Sequence, residues 1–391
     1  MSITADSLTR DMTRPAPASV APRGSKAVRA QPVSPQVWDQ TIARLDGACQ
    51  EQLYTFAKTR WPGVAHEPVL FWVGSELVGG CLTMIQRLPL GLGAIAIVKW
   101  GPMLARTDQA DSIEVYDGMV GALVEEYARR RGMMLSILPR ASLVHSNAEY
   151  HHLTTRGFRK GTVLAFPDRY IVNLRLSDDD QRKSLNQKWR YHLNKSEKAG
   201  LTFEHAGAER RPEFDRLYQV MTDRKKFADH SAYETVPALF DMEPAVRPEL
   251  FFVRHQGEVV AGAIIFKAGD RAVYLYGATN EKALPLRAGY FMHWHIIRWL
   301  RDNTKANWYD LGGTDGFQGL HQFKKGMVGD RGVISPVPPV ANYAARPLPY
   351  LLGSAAFNAR DLVHRLERWL DSKRSDRAHP DQRKPDSGDD A

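Results

Sequence analysis

The chain has 391 residues, 43% of them hydrophobic, which is enough to bury the cores of two compact domains. Its formal net charge of +9 favours an anionic partner, such as nucleic acid, a nucleotide-linked sugar, coenzyme A or the inner face of a membrane. The two cysteines, Cys49 and Cys81, exclude a disulfide framework and a cysteine metal cluster. No apolar run reaches the roughly 18 residues that span a bilayer, and residues 1–30 lack the apolar block of a secretory signal. We therefore expect a cytoplasmic protein.

Both ends have compositions that bury too little surface to fold. Residues 1–35 hold five prolines among alanines, serines and arginines, and residues 371–391 interleave basic residues with aspartates. We predict a disordered N-terminal arm over 1–35 and a disordered tail over 371–391. Between the last regular strand and this tail, leucines and arginines at helical spacing predict C-terminal amphipathic helices over 341–370.

An internal repeat divides the rest of the chain. Residues 76–80 (Glu-Leu-Val-Gly-Gly) and 258–262 (Glu-Val-Val-Ala-Gly) begin similar apolar segments, 258 − 76 = 182 residues apart. Each is preceded by a short strand and a glycine turn, which predicts a hairpin, and is followed by a strand, an amphipathic helix and another strand. This order predicts two domains, 36–175 and 206–340, each a mixed, mostly antiparallel sheet flanked by helices. The fold class is α+β, and residues 176–205 form a basic helical linker.

The most informative stretch is 307–329. A short apolar strand ends at the paired glycines Gly312 and Gly313, which indicates a sharp loop. After the loop, Leu320, Phe323 and Met327 recur at helical spacing, with two lysines between the last two. A short helix would therefore hold two cations beside an apolar anchor.

This stretch resembles the Fem family of nonribosomal aminoacyl and peptidyl transferases, which build peptidoglycan cross-bridges on duplicated acetyltransferase-like (GNAT) domains. The resemblance rests on the order Tyr-Asp-Leu-Gly-Gly at 309–313, Gly-Leu at 319–320 and Phe-Lys-Lys-Gly at 323–326. With the repeat, it covers most of residues 65–330. It implies two tandem GNAT-like acyltransferase domains, with the acyl donor entering a gap where the sheet splays. It also implies that the second domain is catalytic.

The resemblance implies that Lys324 is the cation beside the reacting carbonyl, with Phe323, Gly312 and Gly313 lining the substrate site. A preorganised ammonium in a dry pocket stabilises an oxyanion. Amide formation also needs a proton acceptor, and Asp310, Asp315 and His321 are the candidates near the loop. Two simpler interpretations remain open: the lysine pair is solvated at a helix end, and Asp310 only orients the loop.

Basic residues of the linker are candidates for binding the acceptor. Lys188 and Arg190 lie on a cationic helix that resembles the one following the first Fem domain, where such residues meet phosphates of the acceptor, and Arg224 or Lys225 is expected near the same pocket. The alternative is a solvated helix face. Leu185, Trp189 and Leu193 recur every four residues and so form one apolar stripe of this helix. Base stacking on RNA is disfavoured because Trp189 lies on that stripe.

A further candidate site is the turn at 286–290, which resembles a degenerate form of the GNAT pyrophosphate loop. We assign Arg287 and Gly289 to donor binding, because amides at a helix start bind phosphate. The glycine spacing is incomplete, so a simple turn is the alternative. The corresponding loop of the first copy lacks even this signal, which suggests that the first half binds acceptor or acts as a scaffold.

We therefore expect an N-acyltransferase that forms an amide on an amine of a cell-envelope precursor, either a peptidoglycan peptide or an amino sugar of an exopolysaccharide. The donor is acyl-coenzyme A or aminoacyl-tRNA, with no tightly bound cofactor and no metal, since His293 and His295 lack a third ligand. The expected partners are an anionic nucleotide- or lipid-linked sugar, tRNA in one alternative and the inner membrane surface in another, but not DNA. Two competing hypotheses are a non-catalytic precursor-binding protein that regulates envelope synthesis and an RNA-binding protein.

Overall fold

The computed structural model describes residues 27–144, 146–225, 232–360 and 362. The predicted tail over 371–391 lies outside these residues, as do residues 1–26 of the predicted arm. The arm nevertheless needs a correction, because Arg29–Pro32 form an edge strand paired with residues 69–72. A second correction concerns the predicted C-terminal helices: residues 341–343 form a strand, and the helix begins at residue 347.

Within the described residues, the first half contains seven strands and four helices. In chain order they are β1 (Arg29–Pro32), α1 (Pro35–Thr41), α2 (Tyr54–Arg60), β2 (Ala65–Val73), β3 (Glu76–Arg87), β4 (Ala94–Lys99), β5 (Met103–Leu104), α3 (Ser112–Leu123), β6 (Met134–Leu138), α4 (Ala148–Thr155) and β7 (Arg159–Lys160). Helix α3 continues as wider π-type turns over Val124–Arg130.

The second half begins at a strand, and its described part adds eight helices. Its elements are β8 (Asp168–Asn173), α5 (Asp178–Ser184), α6 (Gln187–Glu197), β9 (Leu201–Ala206), α7 (Arg211–Lys225), α8 (Val236–Phe240), β10 (Glu249–His255), β11 (Glu258–Ala268), β12 (Arg271–Thr279), α9 (Ala283–Leu286), α10 (Ala288–Asn303), β13 (Trp308–Asp310), α11 (Gln318–Val328), β14 (Val333–Pro336), β15 (Ala341–Tyr343) and α12 (347–360).

Two sheets carry the fold, and each contains the predicted hairpin. The first has the order β1-β2-β3-β4-β6-β15-β7, with β5 paired to β3, and the second has the order β14-β8-β13-β12-β11-β10-β9. The hairpins β2–β3 and β10–β11 are antiparallel, and each sheet contains a parallel pair, β4 with β6 and β12 with β13. The predicted duplication of a mixed, mostly antiparallel sheet is confirmed.

The boundaries between the two halves differ from the prediction. Strand β8, which we placed in the first domain, lies in the second sheet between β13 and β14. Strand β15, near the end of the chain, returns to the first sheet and pairs with β6 and β7. The halves also share one apolar core, in which Trp38 and Leu45 of the first half pack with Phe266 and Val273 of the second. The first sheet therefore includes a strand from the end of the chain, and the second sheet includes a strand from the predicted first domain.

The predicted linker contains a pair of short helices packed on the second sheet, but its last residues, 201–205, belong to strand β9 of that sheet. Leu185, Trp189 and Leu193 are buried in the core formed by one face of that sheet with α10 and α11. This is the apolar stripe that the four-residue spacing predicted. The same face thus collects α6, α10 and α11 around the Gly312 loop.

The end of α11 is fixed by a glycine that no other residue can replace without strain. Gly329 has φ 63° and ψ −151°, and a Cβ there would lie 2.0 Å from the Ser184 carbonyl oxygen. We expect Gly329→Ala to lower the free energy of unfolding by roughly 3 kcal/mol, from backbone strain and the displaced α5 end. Urea unfolding measures the change. Gly200→Ala is the matched control: Gly200 has φ 68° but nothing within 4 Å of a Cβ, so only about 1 to 2 kcal/mol is expected. Equal losses would contradict the close approach.

Candidate active site

The two sheets differ at their parallel strand pairs. In the first sheet, β4 and β6 stay in register from Ile95 opposite Met134 to Lys99 opposite Leu138. In the second sheet, β12 pairs with β13 only over Arg271–Val273, and β12 then runs on to Thr279 without that neighbour. Just beyond Val273, the pairing of β12 with β11 shifts in register, since Tyr274 lies opposite Ile265 and Tyr276 lies opposite Ile264. A bulge of this kind bends β12. An opening between two parallel strands is therefore present in the second half.

Aromatic side chains and one histidine lie beside this opening. His293 of α10 is 3% exposed, and its ring packs against Tyr274, Tyr309 and Phe323 at centroid distances of 4.9, 6.0 and 5.6 Å. The Tyr309 hydroxyl lies 3.2 Å from His293 Nδ1. Burial, with a smaller effect of the Lys324 charge, lowers the pKa of His293 to about 3, so the imidazole is neutral at physiological pH.

His293 was not predicted as a residue of this site, because the sequence led us to weigh it only as a possible metal ligand. Gly289, His293, Ile297 and Leu300 follow the three- and four-residue spacing of one helix face, and that pattern places His293 inside rather than at the surface. His295, two residues on, is half-buried against Phe203 and Phe291. Among the described residues, no group of three or more potential metal ligands lies together.

Lys324 lies at the loop that follows β13, as the sequence predicted. It is 5% exposed, and its Nζ donates to the carbonyl oxygens of Leu311 at 2.6 Å and Gly313 at 2.5 Å. Gly312 has φ 75°, and a Cβ there would stand 3.9 Å from the same Nζ. Burial, aided by the charge of Arg169, lowers the pKa of Lys324 to about 8. An ammonium has three donors, so two bonds to the loop leave one N–H for a substrate.

Asp310 holds the loop from the other side. It is 4% exposed, accepts from Arg169 Nη2 at 3.0 Å and accepts from the Gly312 amide at 2.9 Å. Burial alone would raise its pKa, but the charges of Arg169 and Arg271 hold the pKa below its usual value. Both bonds tie the carboxylate to its surroundings, one to Arg169 and one to the backbone of the loop.

The other two candidate proton acceptors differ in their surroundings. Asp315 is exposed in the loop, with φ 48°, and its charge opposes the lowering of the Lys324 pKa. His321 lies on α11, and its Nδ1 is 2.5 Å from the hydroxyl of Tyr170, a residue of β8. The structure thus brings Lys324, Gly312, Gly313 and Asp310 together at one loop.

The predicted phosphate loop precedes the longest helix of this face. Arg287 has φ 55° and precedes α10, which begins at Ala288. Near a Cβ at Gly289, the closest group is the Phe323 ring at 4.0 Å, so the backbone there is open to close approach by a ligand. Phe323 itself packs against Trp189 and Tyr290 at 6.0 and 5.0 Å. The start of α10 and the Lys324 helix therefore border the same aromatic cluster.

The basic residues assigned to acceptor binding separate in space. Lys188 is exposed on α6, whereas the guanidinium of Arg190 donates to the carbonyls of Lys183 and Leu185 and so caps α5. Arg224 of α7 donates to the carbonyl of Thr279 at 3.3 Å, at the far end of β12. The side chain of Lys225 lies outside the described residues. Arg224 thus reaches the strand that borders the opening, and Arg190 is occupied by the backbone.

Comparison with known proteins agrees with this geometry. Residues 180–325 match the model of the acetyltransferase (GNAT) domain. The crystal structure of FemX superposes with a TM-score of 0.67 at 16% identity, covering 83% of this chain and 100% of that chain. A conserved protein of unknown function from Bacteroides thetaiotaomicron VPI-5482 gives 0.49 at 12% identity, covering 81% and 98%. L-PGS from Bacillus licheniformis gives 0.48 at 15% identity, covering 82% and 96%. None of the curated proteins matches.

Residues 180–325 therefore match a GNAT-type acetyltransferase domain, and the fold of the chain is similar to that of FemX. The two sheets have the duplicated arrangement that the resemblance implied, so the predicted resemblance is confirmed at the level of the fold. The strand opening, the Lys324 loop and the start of α10 all fall within or beside the matched segment. In the described ranges, no helix is long and apolar enough to cross a bilayer.

Proposed function

We propose that the protein joins an acyl or aminoacyl group to an amine of a cell-envelope precursor, at the opening between β12 and β13. The observation that carries the proposal is the buried Lys324 ammonium, held by two loop carbonyls beside that opening. The amine nitrogen attacks the donor carbonyl, and the oxygen becomes negatively charged. The third N–H of Lys324 donates to that oxygen, where a preorganised donor stabilises the transition state more than the ground state.

The rest of the reaction follows from the bonds that change. A C–N bond forms, and the bond from the carbonyl carbon to the leaving sulfur or ribose oxygen breaks. One proton leaves the amine and one is taken up by the leaving group. Asp310 is already bonded to Arg169 and Gly312, so we assign it to loop orientation and leave Asp315 and His321 as the candidate acceptors of the proton.

Acyl-coenzyme A is the donor that the start of α10 supports best. A helix N-terminus attracts phosphate, and Gly289 leaves room for a pyrophosphate to approach the backbone. Aminoacyl-tRNA is the alternative donor, supported by the similarity to FemX. We expect the acceptor to be an anionic nucleotide- or lipid-linked sugar, with Lys188 and Arg224 as the cations near it. We also propose that the protein is cytoplasmic and contacts the inner membrane peripherally.

The donor is identified by product formation. Purified protein is incubated with acetyl-coenzyme A or with aminoacyl-tRNA, each with a panel of UDP-amino sugars and a peptidoglycan peptide precursor, and amide products are detected by mass spectrometry. We expect an amide from acetyl-coenzyme A, which Gly289→Val abolishes by blocking the backbone. If aminoacyl-tRNA gives a product with both the wild type and Gly289→Val, aminoacyl-tRNA is the donor. No product from either donor, with precursor binding retained, would favour the precursor-binding protein.

Activity should depend on pH through Lys324. Its pKa of about 8 means that the ammonium of the free enzyme is present below pH 8 and lost above it, so we expect kcat/KM to fall up to about tenfold per pH unit there. In Lys324→Arg the falling limb should move to much higher pH, because guanidinium stays charged. A pH profile of kcat/KM for both proteins measures the shift. An unmoved limb would assign the titration to another group.

A further inference from the structure

A polar cavity lies on the other face of the second sheet, between the two halves. Side chains alternate along strands, so Ala272 and Tyr309 face the core with α10, while Arg271 and Asp310 face the first half. With Arg140 of the first half, these two line a small cavity of about 30 Å³. This cavity therefore opens away from the face that holds Lys324.

An adjoining cavity of about 310 Å³ shares Arg140 and Arg271 with the small one. Tyr116 of α3, Glu149 of α4 and Asp270 are also part of its lining. Arg140, Arg271 and Tyr116 are 8%, 6% and 0% exposed. Polar side chains from both halves thus line one cavity.

Several of these buried groups lack a hydrogen-bond partner in the described part of the chain. They are Nε of Arg140, Nε of Arg271, the hydroxyl of Tyr116 and one carboxylate oxygen, Oε2, of Glu149. Buried polar groups are almost always bonded, because a lost partner leaves the full desolvation cost. A ligand that bonded these three donors and one acceptor would need at least one hydrogen-bond acceptor and one donor of its own.

Among the described residues, Arg140 has an ion-pair partner in this cavity and Arg271 does not. Arg140 pairs with Glu149 and donates to the Asp46 carbonyl at 2.7 Å. Asp270 accepts from the Gly47 amide at 2.7 Å. Arg271 lies in the fields of Asp310 and Asp270 and of two cations, Arg140 and Arg169, and it forms no ion pair with a described residue at salt-bridge distance. An oxyanion between the two guanidinium groups would satisfy both.

We propose that this cavity binds a small ligand with a carboxylate or phosphate group, whose oxygens accept from Arg140, Arg271 and Tyr116. A hydroxyl or ammonium on the same ligand donates to Glu149. The site is separate from the donor opening and does not depend on the function proposed above. Asp310 borders the adjoining small cavity and accepts from the Gly312 amide.

Thermal unfolding of the full chain tests the site with two probes, inorganic phosphate and glycine, each against chloride at equal ionic strength. A ligand that binds only the folded state raises Tm in a saturable way. We expect saturation with one of them, and the effective probe identifies phosphate or carboxylate chemistry. Tyr116→Phe keeps the ring and should weaken binding by roughly tenfold, while Arg271→Met should abolish it.

Two control variants separate this site from others. Arg254→Met removes an arginine that pairs with Glu204 and Glu213 away from the cavity, so its response to the probe should match wild type. Gly289→Val removes phosphate binding at the start of α10, so a rise of Tm that this variant keeps and Arg271→Met loses belongs to the cavity. The proposal is overturned by an equal rise of Tm in Arg271→Met and wild type, and equally by no saturable rise with either probe, which would assign the cavity to water.

Discussion

Replacing Lys324 with methionine should lower kcat for amide formation by roughly 10² to 10³, the usual cost of removing one oxyanion donor. Methionine keeps the length of the apolar stem, so α11 should still pack. KM for both substrates should change little, because the lost bond forms mainly in the transition state. Steady-state kinetics with the donor identified by product formation, together with circular dichroism of the variant, measure the effect.

The neighbouring lysine supplies a matched control. Lys325 has the same chemistry but is exposed one position further along α11. Lys325→Met should therefore keep nearly full activity. A similar loss in both variants would show that only the local charge matters, and full activity in Lys324→Met would end the case for an oxyanion role.

Replacing Asp310 with alanine should lower the free energy of unfolding by about 3 to 5 kcal/mol. The change removes the ion-pair partner of Arg169 and so leaves an uncompensated charge inside the protein. It also removes the acceptor of the Gly312 amide. Asp310→Asn should lose less, since the amide oxygen still accepts from Gly312. Urea denaturation of the two variants and the wild type gives the comparison.

A surface pair provides the reference for this loss. Asp108 pairs with Arg106 at 3.0 Å, and both side chains are mostly exposed. Asp108→Ala should leave the urea midpoint unchanged, because exposed ion pairs contribute little. If Asp310→Ala behaves like Asp108→Ala, the buried pair is not what holds the loop.

The local features of the chain were predictable because they depend on neighbours in sequence. Glu76 and Glu258 both begin the second strand of a hairpin, as the repeat indicated. The glycine pair at 312–313 ends a strand, and Lys324 follows on the predicted helix. Each of these signals is a periodicity or a turn within a few residues.

The long-range features were not predictable in the same way. Arg169 and Asp310 are 141 residues apart, and no periodicity links them. The positions of β8 and β15 depend on pairing across the molecule, so β8 was assigned to the first domain and residues 341–343 to a C-terminal helix. His293 was missed because a histidine in an apolar helix face was weighed only as a metal ligand. The roles proposed for the site residues remain predictions.

The return of β15 to the first sheet has a consequence for how the chain is made. Tyr343 pairs with Leu135, so the interior edge of that sheet stays unpaired until more than 340 residues have been synthesised. The first half cannot complete its fold on the ribosome while the second half is still being translated. Its exposed strand β6 is meanwhile open to pairing with other chains. The protein should accordingly unfold in a single cooperative step, and neither half should be recoverable as a stable fragment.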